Sequence, residues 1–382
     1  VLSLVGSEMC IRDRYRIYEE KYPDVEIVNA AVAGGAGSNF KAVNKARILA
    51  GDPADTFQLH AGLEVETYSP EQYLAPLDDL YASEGLEQAF PPDLLTLLKA
   101  YGGHYWGVPV NIHRGNVLWY NKSLMEQAGA QPPTTFEEFY AAADALKAAG
   151  ITPLALGNAG GWEATHMLED VLAGTCGADK YRGLWDGSVP WTDECVTAAL
   201  ENFKRMVSYA NTDYPAMEWS GAAQKVIDGT AAMTIMGDWT DGQFTSKGFT
   251  DYGWIPSPGT TGIFVLLSDS FSLTKEAPNP ENALNWLKVA GSLEGQEAFN
   301  PQKGSICART DCNPDLFNEY LKSAMVDWSQ DALVPSLAHG AAAFESWNVD
   351  VQDVVNLFLT SGDVAGTQTA LQQLCVDAGM CQ

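Results

Sequence analysis

Among the residues of this chain whose types suit chemistry are Gln58, His60, Trp219, Trp239, Asp269, Lys303 and His339. Gln58 and His60 alternate with Phe57 and Leu59 in DTFQLHAG. On a strand that spacing sends both polar side chains to one face, at the strand's carboxyl end. Each can donate and accept hydrogen bonds. Asp269 follows an apolar run in FVLLSDSFSLTK, where an ionised carboxylate can accept two hydroxyl protons. Lys303 stands between a helical stretch and a Gly turn in FNPQKGSICAR, and His339 lies in VPSLAHGAAA. Inside a closed cleft Asp269 and Lys303 would offset each other's charge, because an unpaired buried charge is costly. Trp219 opens a helical stretch in MEWSGAAQKVIDG, and Trp239 is expected to end a strand in MTIMGDWTDG. The chain holds 11 Trp, more than cores generally need, and several lie beside polar residues. Planar polar groups with flat indole plates are the equipment for holding a neutral molecule that has hydroxyls on its edge and C–H groups on its faces.

Three further residues are secondary candidates. Trp162 in GNAGGWEATH could edge a cleft, and His113 and Asn116 could either brace the backbone or touch a ligand. Gly34 to Gly37 resemble a phosphate cradle only superficially. They lack both the G-x-G-x-x-G spacing and the Lys-Ser/Thr of a P-loop, so they read as a plain loop. No metal or cofactor is expected. The cysteines have no C-x-x-C pair and no nearby His of the kind zinc needs.

The elements that must position these groups alternate between strand and helix. Tyr15 to Tyr22 closes an amphipathic helix, Val25 to Val28 is a strand, Ser38 to Ala50 is a helix that stops at Gly51-Asp52-Pro53, and Thr56 to Leu59 is a short strand. This rhythm predicts a parallel sheet with crossover helices. Helical patterns recur at 136–149, 164–174, 193–210, 221–229, 280–290 and 350–359, with short strands at 154–156, 231–236 and 263–267. No repeat, low-complexity segment or long linker appears. A chain of 382 residues is too long for one ordinary core and suits two α/β lobes joined by their own strands. No window approaches the roughly 18 unbroken apolar residues of a transmembrane helix.

A net charge of −27 argues against nucleic acid as a partner, since phosphate binding wants clustered Lys and Arg. It suits a well-solvated acidic surface and a neutral ligand, not a polyanionic one. Residues 1–14, VLSLVGSEMCIRDR, resemble adapter-derived sequence, and we expect them to be a non-native segment outside the fold. With Cys10 set aside, Cys176, Cys195, Cys307, Cys312, Cys375 and Cys381 remain, an even number that suits an oxidising compartment. Six thiols admit about 15 pairings. Proximity favours Cys307–Cys312, Cys375–Cys381 and Cys176–Cys195, and free buried thiols are the alternative.

The stretch GVPVNIHRGNVLWYNK, Gly107 to Lys122, is an apolar extended run carrying Asn111, His113, Arg114 and Asn116. With the Gln58/His60 strand, the span from Trp219 to Trp239, and Asp269, Lys303 and His339 in that order, it resembles the bacterial extracellular solute-binding proteins. The likeness is to the branch that serves carbohydrate ABC importers and includes glucose-binding proteins, and it runs from about Tyr15 to Leu374. It implies an α/β, two-lobe periplasmic-binding-protein fold (type II), with discontinuous lobes joined by hinge strands. Lobe one is expected to hold 15–110 plus 267–312, and lobe two 115–264 plus 315–382. Crossings are expected near 111–114, 264–267 and 312–315. The family's first strand, which supplies a Trp and an acidic residue to the pocket, is expected to be missing.

The same resemblance makes Trp219 the stacking surface and Trp239 a pocket wall, with Gln58, His60, Asp269, Lys303 and His339 around the ligand. It implies capture of a monosaccharide of the glucose or galactose type in a cleft between the lobes, and delivery to a membrane permease. The protein is expected to be a monomer, periplasmic or extracellular, in free or lipid-anchored form, and not an enzyme. The alternatives are a disaccharide or oligosaccharide ligand, with Trp162 as an extra stacking surface, and a glycoside hydrolase using Asp238 and Asp269. Hydrolysis needs an acid/base pair at a fixed separation, which nothing in the sequence sets.

Overall fold

The computed structural model describes residues 2–5, 12–30 and 38–381. Its strands, in chain order, are β1 (Leu2–Val5), β2 (Ile27–Asn29), β3 (Thr56–His60), β4 (Val108–Pro109), β5 (His113–Arg114), β6 (Val117–Asn121), β7 (Thr152–Ala155), β8 (Ala231–Ile235), β9 (Tyr252–Pro256), β10 (Ile263–Leu267), β11 (Asp269–Leu273) and β12 (Ala332–Pro335). The chain divides into two units, each discontinuous. Unit 1 comprises Val1–His113, Leu267–Lys322 and His339–Glu345; unit 2 comprises Arg114–Leu266, Ser323–Ala338 and Ser346–Gln382. The chain passes from one unit to the other at His113/Arg114 and back at Leu266/Leu267. The third crossing lies at Lys322/Ser323 instead of near 312–315, and a short excursion, His339–Glu345, returns to unit 1. A loop as short as that excursion carries no periodicity, so the sequence gives no sign of it.

Unit 1 is built on a five-stranded sheet in the order β2-β1-β3-β11-β4. Strands β2, β1 and β3 run parallel, and β11 is antiparallel to β3 and β4. The place of β1 corrects the expectation that residues 1–14 stand outside the fold and that a strand is missing. Leu2–Val5 pairs with β2 on one side and β3 on the other. The helix Arg12–Lys21 follows, with Arg14 buried and its guanidinium 3.5 Å from the centre of the Phe299 ring. A short apolar run meets the backbone demands of an inner parallel strand whatever its origin. Residues 6–11 and the Gly34–Gly37 loop lie outside the described residues.

The alternation in β3 sorts its side chains as the period of two requires. Phe57 and Leu59 enter a core of Phe40, Ile48, Ala54, Val65, Tyr68, Leu74 and Trp106, which leaves Gln58 and His60 on the other face. Burying each large apolar side chain contributes about 1.5–3 kcal/mol, so a one-residue slip of register is strongly disfavoured.

Unit 2 holds a four-stranded sheet, β7-β8-β6-β9, and a three-stranded one, β12-β10-β5. Strand β6 is antiparallel to β8 and β9, and its Trp119 is fully buried, donating from Nε1 to the Met236 carbonyl. The helix Phe136–Ala148 begins with a complete capping box, Thr135 and Glu138 satisfying each other's backbone amides. The helix expected over 164–174 extends over Glu163–Asp186, with a break at Gly177, whose φ is 78°. Trp239 opens the helix Trp239–Ser246 instead of ending a strand, because β8 stops at Ile235.

Disulfides join Cys176–Cys195, Cys307–Cys312 and Cys375–Cys381, the pairs that proximity favours. Among the described residues no helix is long and apolar enough to cross a membrane.

Candidate functional site

The carboxyl end of β3 and the start of β11 lie opposite each other, with Asp269 paired to His60 and Phe271 to Gln58. This register gathers polar side chains around one carboxylate. Gln58 Nε2 donates to Asp269 Oδ1 at 3.0 Å, and Asn111 Nδ2 donates to Oδ2 at 2.8 Å. The Asn111 side-chain oxygen accepts from the Asp269 amide at 2.8 Å, so Asn111 clamps both ends of the residue. His113 Nε2 stands 3.4 Å from Oδ2, and His60 Nε2 stands 3.6 Å from Oδ1. Burial alone would raise the Asp269 pKa. A hydrogen bond from His113 and the charges of Lys303, His113 and His60 outweigh it and hold the carboxyl well below its usual range. Asp269 is therefore an ionised acceptor at neutral pH, although only 5% exposed.

His339 joins this cluster through the excursion. Its ring stands edge-on to His60, with centroids 5.4 Å apart. The approach depends on glycine. Gly62 has φ 119°, and a Cβ there would come within 2.8 Å of the Ala341 Cα. The Glu64 amide donates to the Gly340 carbonyl at 3.0 Å, which seats the His339 segment on the turn after β3. Lys303 ends the helix Leu293–Lys303, where Gly304 provides the left-handed cap. Unit 1 thus brings together Gln58, His60, His113, Asp269, Lys303 and His339.

Three charged residues of this unit escape a reading of the sequence. His60 Nδ1 lies 2.6 Å from Glu64 Oε2, and Lys41 Nζ lies 2.9 Å from both Glu64 and Glu345. The separation of four between His60 and Glu64 is the only sequence signal. The strand ends at His60 and the 3₁₀ turn Leu63–Tyr68 brings Glu64 back beneath it.

Unit 2 gathers indoles. Trp219 and Trp239 meet edge to face, with centroids 6.3 Å apart and planes at 83°. Trp162 stands 6.4 Å from Trp239, and the buried His166 stands 5.6 Å from it. Trp219 and Trp239 remain half-buried, while Trp162 is buried. The Trp239 ring lies across Gly237, where a Cβ would sit 2.2 Å from it. Beside them is Glu163, 1% exposed, with Oε1 3.4 Å from the Gly160 amide. Burial raises its pKa, against hydrogen bonds from the Glu163, Gly160 and Trp219 amides.

Asn116 serves the backbone. Its amide donates to Thr260 Oγ1 and the Ile263 carbonyl, and its oxygen accepts from the Val265 amide and Arg114 Nε. Asp238 likewise accepts from the Arg114 amide at 2.9 Å. No group of three or more metal-ligating side chains occurs among the described residues.

Two α/β units, each with one cluster of polar or aromatic groups at the ends of its strands and helices, define a binding protein of the two-lobe periplasmic class. The chain belongs to the bacterial extracellular solute-binding protein family, whose model matches residues 8–297. It is 38% identical over 361 residues to an uncharacterized ABC transporter extracellular-binding protein of Pyrococcus horikoshii, covering 93% of this chain and 81% of that one. It is 32% identical over 336 residues to a probable sugar-binding periplasmic protein of Brucella suis biovar 1, covering 85% and 78%. The solved structure of the bacterial solute receptor AcbH, described as having an exclusive preference for β-D-galactopyranose, superposes with a TM-score of 0.87 over 98% of both chains at 20% identity. The relatives named here are an ABC transporter extracellular-binding protein and a sugar-binding periplasmic protein, binding proteins and not enzymes.

Proposed function

We propose that the sugar is a single aldohexose, glucose or galactose, with Gln58, His60, Asp269, Lys303 and His339 as its polar ligand groups and Trp219 and Trp239 as its stacking and wall groups. The observation that carries this reading is Asp269. It is a buried carboxylate kept ionised by its neighbours, with Gln58, His60, His113 and Lys303 about it. Such a carboxylate accepts two hydroxyl protons in charge-assisted hydrogen bonds. A sugar lacking one of those hydroxyls, or presenting it with the wrong stereochemistry, leaves buried polar atoms unpaired and binds far more weakly. Trp219 offers its half-exposed face to the C–H side of the ring, and Trp239, edge-on to it, fixes its tilt. No bond is made or broken in this account; a monomer, free or lipid-anchored, passes its sugar to a membrane permease.

With 11 Trp in the chain, intrinsic fluorescence reports the ligand directly. Titration with glucose, galactose, xylose and a disaccharide should give a saturable change with an aldohexose at the lowest concentration. Saturation by the disaccharide alone removes the monosaccharide assignment.

A further inference from the structure

Beneath His60 lies a chain of charges, Glu64, Lys41 and Glu345. We infer that Glu64 and Lys41 act as positioning residues that decide which nitrogen of His60 holds its proton, and so present Nε2 to the sugar. The inference deepens the monosaccharide reading and rests on His60 being one of its ligand groups.

Glu64 is 1% exposed and meets His60 twice, Oε2 at 2.6 Å from Nδ1 and Oε1 at 3.3 Å from the backbone amide. Lys41 Nζ bridges Glu64 Oε2 and Glu345 Oε1, each at 2.9 Å. Burial works to raise the Glu64 pKa, but the charges of Lys41 and His60 hold it down at about 2. An ionised carboxylate can only accept. The proton at 2.6 Å therefore belongs to Nδ1, and deprotonation of the imidazolium must occur at Nε2. Nε2 points the other way, 3.6 Å from Asp269.

The charged groups that act on His60 pull in opposite directions. Burial lowers its pKa, Glu64 and then Asp269 raise it, and Lys41 lowers it; His339 faces the ring edge-on. The net result is a raised pKa, so the imidazolium, with a donor at Nε2, survives to higher pH than in a free histidine. Grip from that donor is present below the raised pKa and is lost as pH rises through it.

Glu64 and Lys41 pull His60 in opposite senses, and this separates a positioning role from a merely structural one. Glu64→Gln removes the negative charge facing Nδ1 and leaves a neutral amide that can accept or donate there, and should lower the His60 pKa. Lys41→Met leaves the carboxylate and removes the repelling ammonium, and should raise it. Nitrogen-15 shifts of the imidazole, followed against pH in the full chain, read both the tautomer and the pKa. Sugar affinity by calorimetry on the same samples should lose its alkaline limb at lower pH in E64Q and at higher pH in K41M. E64Q should also bind on the order of tenfold more weakly at pH 7, the loss of one charge-assisted hydrogen bond. Shifts in the same direction, or an unchanged His60 pKa in E64Q, overturn the inference. If E64Q does not fold, the upward shift in K41M carries the test alone. Wild-type protein that binds no sugar overturns the monosaccharide reading instead, and the imidazole shifts then judge the charge pair by themselves.

Discussion

Replacing Asp269 by Asn probes the site with almost no change in volume. The carboxylate accepts from Gln58 and Asn111 at 3.0 and 2.8 Å, and it faces His113 and His60 at 3.4 and 3.6 Å. An amide can accept through one oxygen only, so one of the two amide donors would meet an NH₂ group. That forfeits a charge-assisted hydrogen bond, about 1.5–3 kcal/mol, and leaves two imidazoles without their counter-charge. Because Asp269 is only 5% exposed, solvent screens little of this. We expect a loss near 3 kcal/mol, within the range for breaking a buried charged pair. For a unit of this size each kcal/mol lowers Tm by about 2–4 °C, so unit 1 should melt about 6–12 °C earlier.

The pH dependence has a definite sign. The Asp269 pKa is depressed in the folded state, so its contribution is fully present above about pH 4 and is lost as pH falls through the folded value. D269N should therefore show a flatter acid limb in a plot of Tm against pH. Sugar affinity should fall by at least about a hundredfold, two charged hydroxyl contacts being lost. Scanning calorimetry across pH 2–8, about the range over which carboxylates and histidines titrate, together with sugar titration, measures both effects. A variant that binds within about threefold of wild type, a difference of under 1 kcal/mol, would show that the carboxylate is a structural clamp and not a ligand group.

Other perturbations have equally definite outcomes. Gly62→Ala forces a Cβ to within 2.8 Å of the Ala341 Cα at a φ of 119°; it should cost about 1–3 kcal/mol and dislodge His339, seen as loss of both Tm and affinity. Trp219→Ala should weaken sugar binding about tenfold from lost apolar cover, whereas Trp328→Ala, whose ring packs on Phe264, should lower stability and leave affinity unchanged. Reducing the disulfides should destabilise unit 2 most through Cys176–Cys195, whose separation of 19 residues corresponds to about 3 kcal/mol of chain entropy, against about 2 for each short loop. Single Cys-to-Ser variants, melted side by side, rank them.

What the sequence reveals here follows from the range of the forces involved. The alternation of Phe57, Gln58, Leu59 and His60 is local, so the face carrying the two polar groups can be read directly. Cys307–Cys312 and Cys375–Cys381 are near neighbours, and proximity suffices to pair them. Where contacts join distant segments the reading falls short. Lys41 and Glu345 meet only because the excursion at 339–345 returns to unit 1, and neither carries a local signature. Asn111 looks like any polar residue of a crossing strand until the register of β11 sets Asp269 beside it. Leu2–Val5 escapes the sequence for a different reason: a composition that looks foreign still satisfies the backbone pairing of an inner strand. Trp239 reads as the end of a strand because an apolar run masks the Gly237 break before its helix.

The most direct test is a crystal structure of the protein grown with galactose or glucose. One hexose should be found with a hydroxyl on the Asp269 carboxylate, the His60 Nε2 within hydrogen-bond reach, and its C–H face on the Trp219 indole. A sugar that leaves Asp269 and Trp219 untouched would contradict the account.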